Sequence, residues 1–326
     1  MNGTCAQRGR KYERLASWVA MAPGAEQSKA LMADKGPAAA LASYGLPEGG
    51  EAAWDELAAG HWNSFGRQVF PHAGFFLDAE AQIGGPTTQA LVDSYKAIGF
   101  DWTKSDEAPD HLATQLRVLA WMCAAEAEAQ MAEGWDRINK ISELQRGFLD
   151  EQLLRWLPVF ANAVRRQADP FASALVTAIE DLALSHRAGL MSGCVGCAGQ
   201  TPEPAIDLDD ADTGLGDIAQ YLCTPAASGL VLSVNDIAGV GRALGVPRGF
   251  GERRLTMTNL MRAAARFDRF ADLAAGIGAL VQTSTDELRA ERYADISGRN
   301  AFWRYRLEQC KQVLDDLSRV SLAEQV

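Results

Sequence analysis

The residues best able to do chemistry lie together in one short segment, Glu107-Ala108-Pro109-Asp110-His111-Leu112. Its carboxylates suit charge-assisted pairing with guanidinium groups, and His111, expected to titrate near neutrality, could donate or accept a hydrogen bond. A proline followed by an acidic residue is also typical of a helix start, so a purely structural role explains the segment as well. Because consecutive side chains of a helix point about 100° apart, Asp110 and His111 are not expected to form a catalytic dyad.

Cys194-Val195-Gly196-Cys197 is a second candidate, because two cysteines at this spacing can bind a metal or form a redox pair. A structural zinc site needs four ligands, and the sequence offers neither a second such pair nor paired histidines. Thioredoxin-like chemistry would need a strand before the pair and a helix after it, whereas the surrounding segment is rich in glycine. Cys194 and Cys197 are therefore weak candidates, and we expect no stoichiometric metal and no cofactor.

The elements that would position the segment from Glu107 to Leu112 begin at Phe70. A Phe70-Pro71 turn precedes the aromatic pair Phe75 and Phe76, and Gly84-Gly85-Pro86 then marks a break. The next helix is short and ends at Gly99-Phe100, after which Trp102 leads into the acidic segment. A long amphipathic helix is predicted to follow from Leu112.

The composition is that of a globular protein, with 48% apolar and 22% charged residues. A formal net charge of −11 favours basic peptides and disfavours nucleic acid and anionic membranes. No apolar run reaches the roughly 18 residues of a membrane helix, and the first residues lack the apolar core of a signal peptide. We therefore expect a cytoplasmic protein without membrane insertion, whose six cysteines are thiols.

Helical apolar spacing runs through almost the whole chain and predicts an all-α fold. Asp169-Pro170 predicts the start of a helix, and Gly189 predicts where that helix ends. Pro158 lacks a backbone donor and predicts that the helix around it is either kinked or split in two, and a kink is the outcome that we expect.

Residues 192–216 interrupt the helical pattern with glycines, prolines and an acidic run that contains no basic side chain. We predict a helical domain at residues 1–190, an acidic linker at 191–212 and a helical extension at 213–326.

Residues 230–270 loosely resemble a helix-turn-helix and carry an excess of arginines that could contact phosphates. The glycine- and proline-containing stretch within them is longer than the usual turn of about 3–4 residues, and the arginines also fit a solvated helix face. A nucleic-acid-binding regulator is therefore an alternative to the function that we expect.

The order of parts from Phe70 to Leu119 resembles the TorD/DmsD/NarJ family of redox-enzyme maturation chaperones. The motif of that family reads Glu, one or two spacer positions including a proline, Asp, His, Leu. The resemblance covers about residues 9–190 and implies a TorD-like helical bundle followed here by the extension.

The resemblance implies a binding protein and not an enzyme. In the family this loop lines a groove for the leader peptide of a molybdenum-containing oxidoreductase, in which paired arginines precede an apolar stretch. The residues that would bind the peptide here are Phe75, Phe76, Trp102, Glu107, Pro109, Asp110 and His111. The expected function is a cytoplasmic chaperone that binds the twin-arginine leader and apo form of a molybdopterin oxidoreductase catalytic subunit and holds it for cofactor insertion.

A metal-dependent enzyme that uses Asp110 and His111 is the other alternative. The sequence leaves open whether the chain forms a homodimer, as domain-swapped relatives do. We expect residues 213–326 to contact the folded body of the client.

Overall fold

The computed structural model describes residues 4–27, 35–46, 48–81, 83–190, 206–210 and 212–323. Within these ranges the ordered elements are helices, joined at one point by an isolated β-bridge between His72 and His111. The all-α prediction is confirmed. None of the helices in the described ranges combines the length and the apolar character needed to cross a membrane.

The chain divides into two compact units. The helices of the first unit are α1 Cys5–Ala20, α2 Lys35–Ala42, α3 Gly50–His61, α4 Ala73–Leu77, α5 Pro86–Ile98, α6 Leu112–Met131, α7 Trp135–Phe148, α8 Leu157–Arg165 and α9 Pro170–Gly189. Those of the second are α10 Leu215–Cys223, α11 Pro225–Ser228, α12 Val234–Leu244, α13 Arg253–Arg266, α14 Phe270–Leu288 and α15 Ser297–Ala323. The linker predicted at 191–212 falls mostly outside the described residues, so the three-part division stays a prediction.

A buried chain of hydrogen bonds joins four helices of the first unit. The Tyr12 hydroxyl lies 3.0 Å from His186 Nδ1, and His186 Nε2 lies 3.0 Å from Gln145 Oε1. The Gln145 amide nitrogen donates to Glu126 at 3.0 Å, and Arg8 donates to the same carboxylate at 3.2 Å. Because a carboxylate only accepts, this orients the Gln145 amide, so that His186 donates to it through Nε2 and accepts from Tyr12.

The start of α9 is as predicted. Asp169 is the N-cap and accepts from the backbone N–H of Ala172 at 2.7 Å, and Pro170 occupies the first turn. Of the two outcomes predicted at Pro158, the split is observed and the expected kink is wrong. Residues Leu149–Leu153 form a π-helical turn, and a new helix starts at Leu157 with Pro158 in its first turn, where a missing N–H costs nothing.

The second unit is built around two long antiparallel helices, α14 and α15. Arg289 near the end of α14 lies 3.5 Å from Glu308, and Gln282, earlier in α14, accepts from Lys311, later in α15. Helix α12 starts at a capping box formed by Ser233 and Asp236. The loop between α12 and α13 contains the predicted glycine- and proline-rich interruption.

Candidate functional site

The segments around His72 and His111 are brought together by backbone hydrogen bonds. The N–H of Ala73 donates to the Asp110 carbonyl at 2.9 Å, and the N–H of Leu112 donates to the Pro71 carbonyl at 2.8 Å. The two segments therefore run antiparallel for a few residues before α4 and α6 begin. Asp110 precedes α6 and His111 caps it, so these two residues do not occupy the successive helical positions that the sequence predicts for them.

The Asp110 carboxylate is fully buried and already has partners in the protein. One oxygen lies 3.2 Å from His72 Nδ1, and the other accepts from the backbone N–H of Gly74 at 3.2 Å. Burial raises the pKa of Asp110, but the hydrogen bonds from His72 and Gly74 outweigh it and hold the pKa below its usual value. Asp110 therefore stays ionised and fixes the position of His72.

His111 is the N-cap of α6, and its Nδ1 accepts from the N–H of Ala113 at 3.2 Å. Nε2 then carries the proton and lies 3.7 Å from a Glu107 oxygen. Burial, helped by the neighbouring His72, lowers the pKa of His111 to about 3. The expectation that His111 titrates near neutrality is wrong, because the imidazole is neutral at physiological pH.

A cleft of about 460 Å³ opens beside these imidazoles. His72 and His111 form one side of it, with their rings in edge-to-face contact at a centroid distance of 4.8 Å. His61 also lines it, and its Nε2 is 2.8 Å from the Trp18 carbonyl oxygen. The remaining lining is apolar and comprises Val19, Ala20, Met21, Ala22, Ala58, Trp62, Phe65, Gly66, Phe70 and Pro71.

Two large apolar side chains of the cleft are exposed to solvent, Trp62 by 62% and Met21 by 67%. Trp62 starts the π-helical turn Trp62–Gln68 that follows α3, and its ring lies against Gly66, where an added Cβ would come within 3.1 Å of the indole. Exposed apolar side chains around a concave apolar surface are typical of a binding site.

Phe75 and Phe76 lie in the core beneath the site and not on its surface. Phe75 contacts Phe70 edge-to-face at 5.8 Å, and Phe76 contacts Trp156 at 5.2 Å. Trp156 in turn donates to the Gln115 side chain, which donates to the Asp110 carbonyl at 3.1 Å. The aromatic pair thus supports the Asp110 segment from below.

The other predicted residues are divided between core and surface. Pro109 is buried, and its carbonyl accepts from the Tyr95 hydroxyl at 2.7 Å. Glu107 is partly exposed beside His111, and Trp102 is partly exposed in the 3₁₀ turn Trp102–Lys104. Of the seven predicted residues, His111 alone lines the cleft. The peptide-binding role of all seven stays a prediction.

Sequence reasoning missed the wall of the cleft. None of His61, His72, Trp62 and Met21 is among the residues predicted from the sequence, although all four line the cleft. The available signal was the position of His72 directly after the Phe70-Pro71 turn, which places it opposite His111 once the two loops pair.

A second groove of about 800 Å³ lies between α1, α6 and the loop after α5. Its walls include Arg10, Arg117, Phe100 and Trp121, and none of the seven predicted residues lines it. Arg117 is held by Ser105 at 2.9 Å and by Glu13 at 3.6 Å.

The described residues contain no group of three or more histidine, cysteine, aspartate or glutamate side chains that could hold a metal ion. Cys194 and Cys197 lie outside the described residues.

Comparison with known proteins finds a family model that matches the His72 and His111 segments. Residues 29–162 match the model of the nitrate reductase delta subunit family, and this range contains both halves of the site. The predicted resemblance to the TorD/DmsD/NarJ chaperones is thereby confirmed for the matched residues.

Two curated relatives are similar to the chain over 103 residues, which is 31% of it. The selenate reductase assembly chaperone protein of Thauera selenatis is 35% identical, and the chlorate reductase assembly chaperone protein of Ideonella dechloratans is 34% identical. The chain spans about half the length of these relatives, 52% in each case. Both are named as chaperones and not as enzymes. No solved structure matches the chain.

Proposed function

We propose that the chain is a cytoplasmic assembly chaperone for a molybdopterin oxidoreductase, and that it binds the twin-arginine leader of the catalytic subunit. The observation that carries the proposal is the apolar cleft beside His72 and His111, nine of whose thirteen lining residues lie in the range that matches the delta subunit family. The names of the two relatives, chaperones of a selenate and a chlorate reductase, support the class of client.

The cleft suits the apolar part of a leader. Its volume of about 460 Å³ is within the range of about 300–1,000 Å³ usual for ligand pockets. Trp62 and Met21 at its rim would lose contact with water when an apolar side chain enters between them, which favours binding. His72 and His111 supply the few polar groups that an otherwise apolar pocket needs to orient its ligand.

Glu107 suits the paired arginines. Its carboxylate is partly exposed next to His111, and because His111 is neutral it does not cancel the negative charge. A guanidinium group can therefore pair with Glu107 at the edge of the cleft. Asp110, whose oxygens are taken by His72 and Gly74, acts in this proposal by holding His72 in place.

The experiment is calorimetric titration of the full chain with a synthetic twin-arginine leader. We expect micromolar or tighter binding, about −8 kcal/mol. Trp62→Ala should weaken binding by about tenfold, since an anchoring aromatic side chain is lost. Trp135→Ala is the matched control, because Trp135 is 73% exposed at the start of α7 and does not line the cleft.

A flat titration at protein concentrations well above micromolar would remove the proposal. Equal losses of affinity in the Trp62 and Trp135 variants would mean that the chain binds the leader at a surface other than the cleft. A leader whose paired arginines are replaced by glutamine should bind more weakly to the wild type, and Glu107→Gln should abolish that difference.

A further inference from the structure

The second unit carries an exposed surface that leader binding does not use. We call it the arginine face and define it by Phe250, Leu255, Arg262 and Arg266. It lies outside residues 29–162, the range that matches the delta subunit family.

The loop after α12 is held against α13 by close backbone contact. At Gly249, whose φ is +72°, an added Cβ would come within 2.9 Å of the Asn259 side chain. At Gly251, with φ of +137°, it would come within 2.8 Å of Leu255. The loop therefore lies along the side of α13 that carries Leu255 and Asn259.

Apolar groups are unusually open to solvent here. Phe250, between the two glycines, is 90% exposed, and Leu255 is 46% exposed. Arg262 stands three residues after Asn259 and Arg266 four residues after Arg262, so on a helix they continue the same side of α13. Both are exposed, and the described residues give neither of them an acidic partner.

The charge of this region is opposite to that of the whole chain. Between Arg242 and Arg269 there are seven arginines and two acidic residues, Glu252 and Asp268, whereas the net charge of the chain is −11. Arginine and exposed aromatic side chains are enriched where proteins bind proteins, and the guanidinium fork pairs with carboxylates in a bidentate manner.

Nucleic acid fits the surface less well. The loop from Gly245 to Glu252 separates α12 from α13 by more than the turn of about 3–4 residues in a helix-turn-helix.

We propose that the arginine face binds an acidic segment of a partner protein, which pairs its carboxylates with Arg262 and Arg266 and covers Phe250 and Leu255 with an apolar side chain. The proposal stands apart from leader binding, since it concerns the second unit alone.

The test uses the full chain and a fluorescein-labelled acidic peptide of Glu-Glu-Leu repeats, followed by anisotropy. Arg262→Glu should weaken binding about tenfold, and Phe250→Ser should weaken it severalfold. Arg289→Glu is the matched charge reversal, because Arg289 is exposed at the far end of α14 and pairs with Glu308. It should change affinity less than about twofold.

Absence of peptide binding at high micromolar protein would overturn the proposal, as would equal effects of Arg262→Glu and Arg289→Glu. Tighter binding of short duplex DNA than of the peptide would overturn it in favour of a nucleic-acid surface. A Glu-Glu-Ser peptide that binds as well as the Glu-Glu-Leu peptide would exclude the apolar contact. Circular dichroism of each variant checks that α13 and α14 remain folded.

Discussion

Replacing Asp110 by alanine removes the acceptor on which the two loops of the site depend. In the wild type His72 and the N–H of Gly74 both donate to the buried carboxylate, each at 3.2 Å. Alanine leaves both donors without that acceptor. Asparagine is the matched variant, because it keeps the shape and one acceptor oxygen.

The magnitude follows from the two donors. A buried donor without an acceptor costs about 1–3 kcal/mol. The Gly74 N–H bears this cost fully, whereas the His72 side chain, 16% exposed, can turn partly to water. Asp110→Ala should therefore lower the free energy of unfolding by about 2–4 kcal/mol. Asp110→Asn should cost about 1 kcal/mol, since the amide oxygen still accepts from Gly74 and the amide nitrogen can donate to His72 in its other tautomer.

Urea unfolding followed by tryptophan emission measures these losses. Seven of the eight tryptophans precede residue 200, so their emission reports mainly on the first unit. Leader titration of the same variants separates stability from binding: if Asp110 only holds His72, Asp110→Asn should retain most of the affinity. The reasoning is refuted if Asp110→Ala unfolds at the wild-type urea concentration, or if asparagine costs as much as alanine.

Three further outcomes are expected. Burial lowers the pKa of His111 and of His186 from 6.5 to about 3. As the pH falls below 6.5, these two histidines are protonated in the unfolded chain but not in the folded one. Each should therefore lower the free energy of unfolding by up to about 1.4 kcal/mol for every pH unit below 6.5. Urea midpoints at pH 7 and pH 5 test this, and equal midpoints would contradict it; His186→Gln should flatten the dependence. A chain truncated near residue 200 should keep its leader affinity in the same titration, and loss of folding would show that the extension belongs to one core. Elemental analysis should find well under one zinc or iron per chain, and a full equivalent that disappears when Cys194 and Cys197 become serine would refute that expectation.

The sequence predicted helix boundaries well where the residues at the helix terminus pair with its free backbone groups or lack a donor that would need a partner. Asp169-Pro170 provides both an N-cap oxygen and a proline in the first turn, and α9 begins there as expected. Pro158 gave the weaker prediction, because a proline within apolar spacing is compatible with a kink or with a new helix. The π-helical turn at Leu149–Leu153 decides between them, and the apolar spacing gives no sign of it.

The site was harder to predict because it depends on contacts between distant residues. The Glu107 to His111 segment was found, but its partner His72 lies 38 residues before Asp110. Phe75 and Phe76 were expected on the surface of a groove, and they are buried against Phe70 and Trp156. Aromatic residues suit a core and a binding surface equally, and the sequence alone does not tell which side of a short helix faces inward.

The hydrogen bond between Tyr12 and His186 also bears on the order in which the first unit can fold. Tyr12 and His186 are 174 residues apart, so α1 is synthesised long before the helix that completes its hydrogen bonds. Its other main partner, α6, is also distant in sequence. During translation the buried face of α1 must wait for α6 to leave the ribosome, and the Tyr12 hydroxyl must wait for His186. Contacts of such long range slow folding, so nascent first units should pass through a period in which α1 is undocked and open to other proteins.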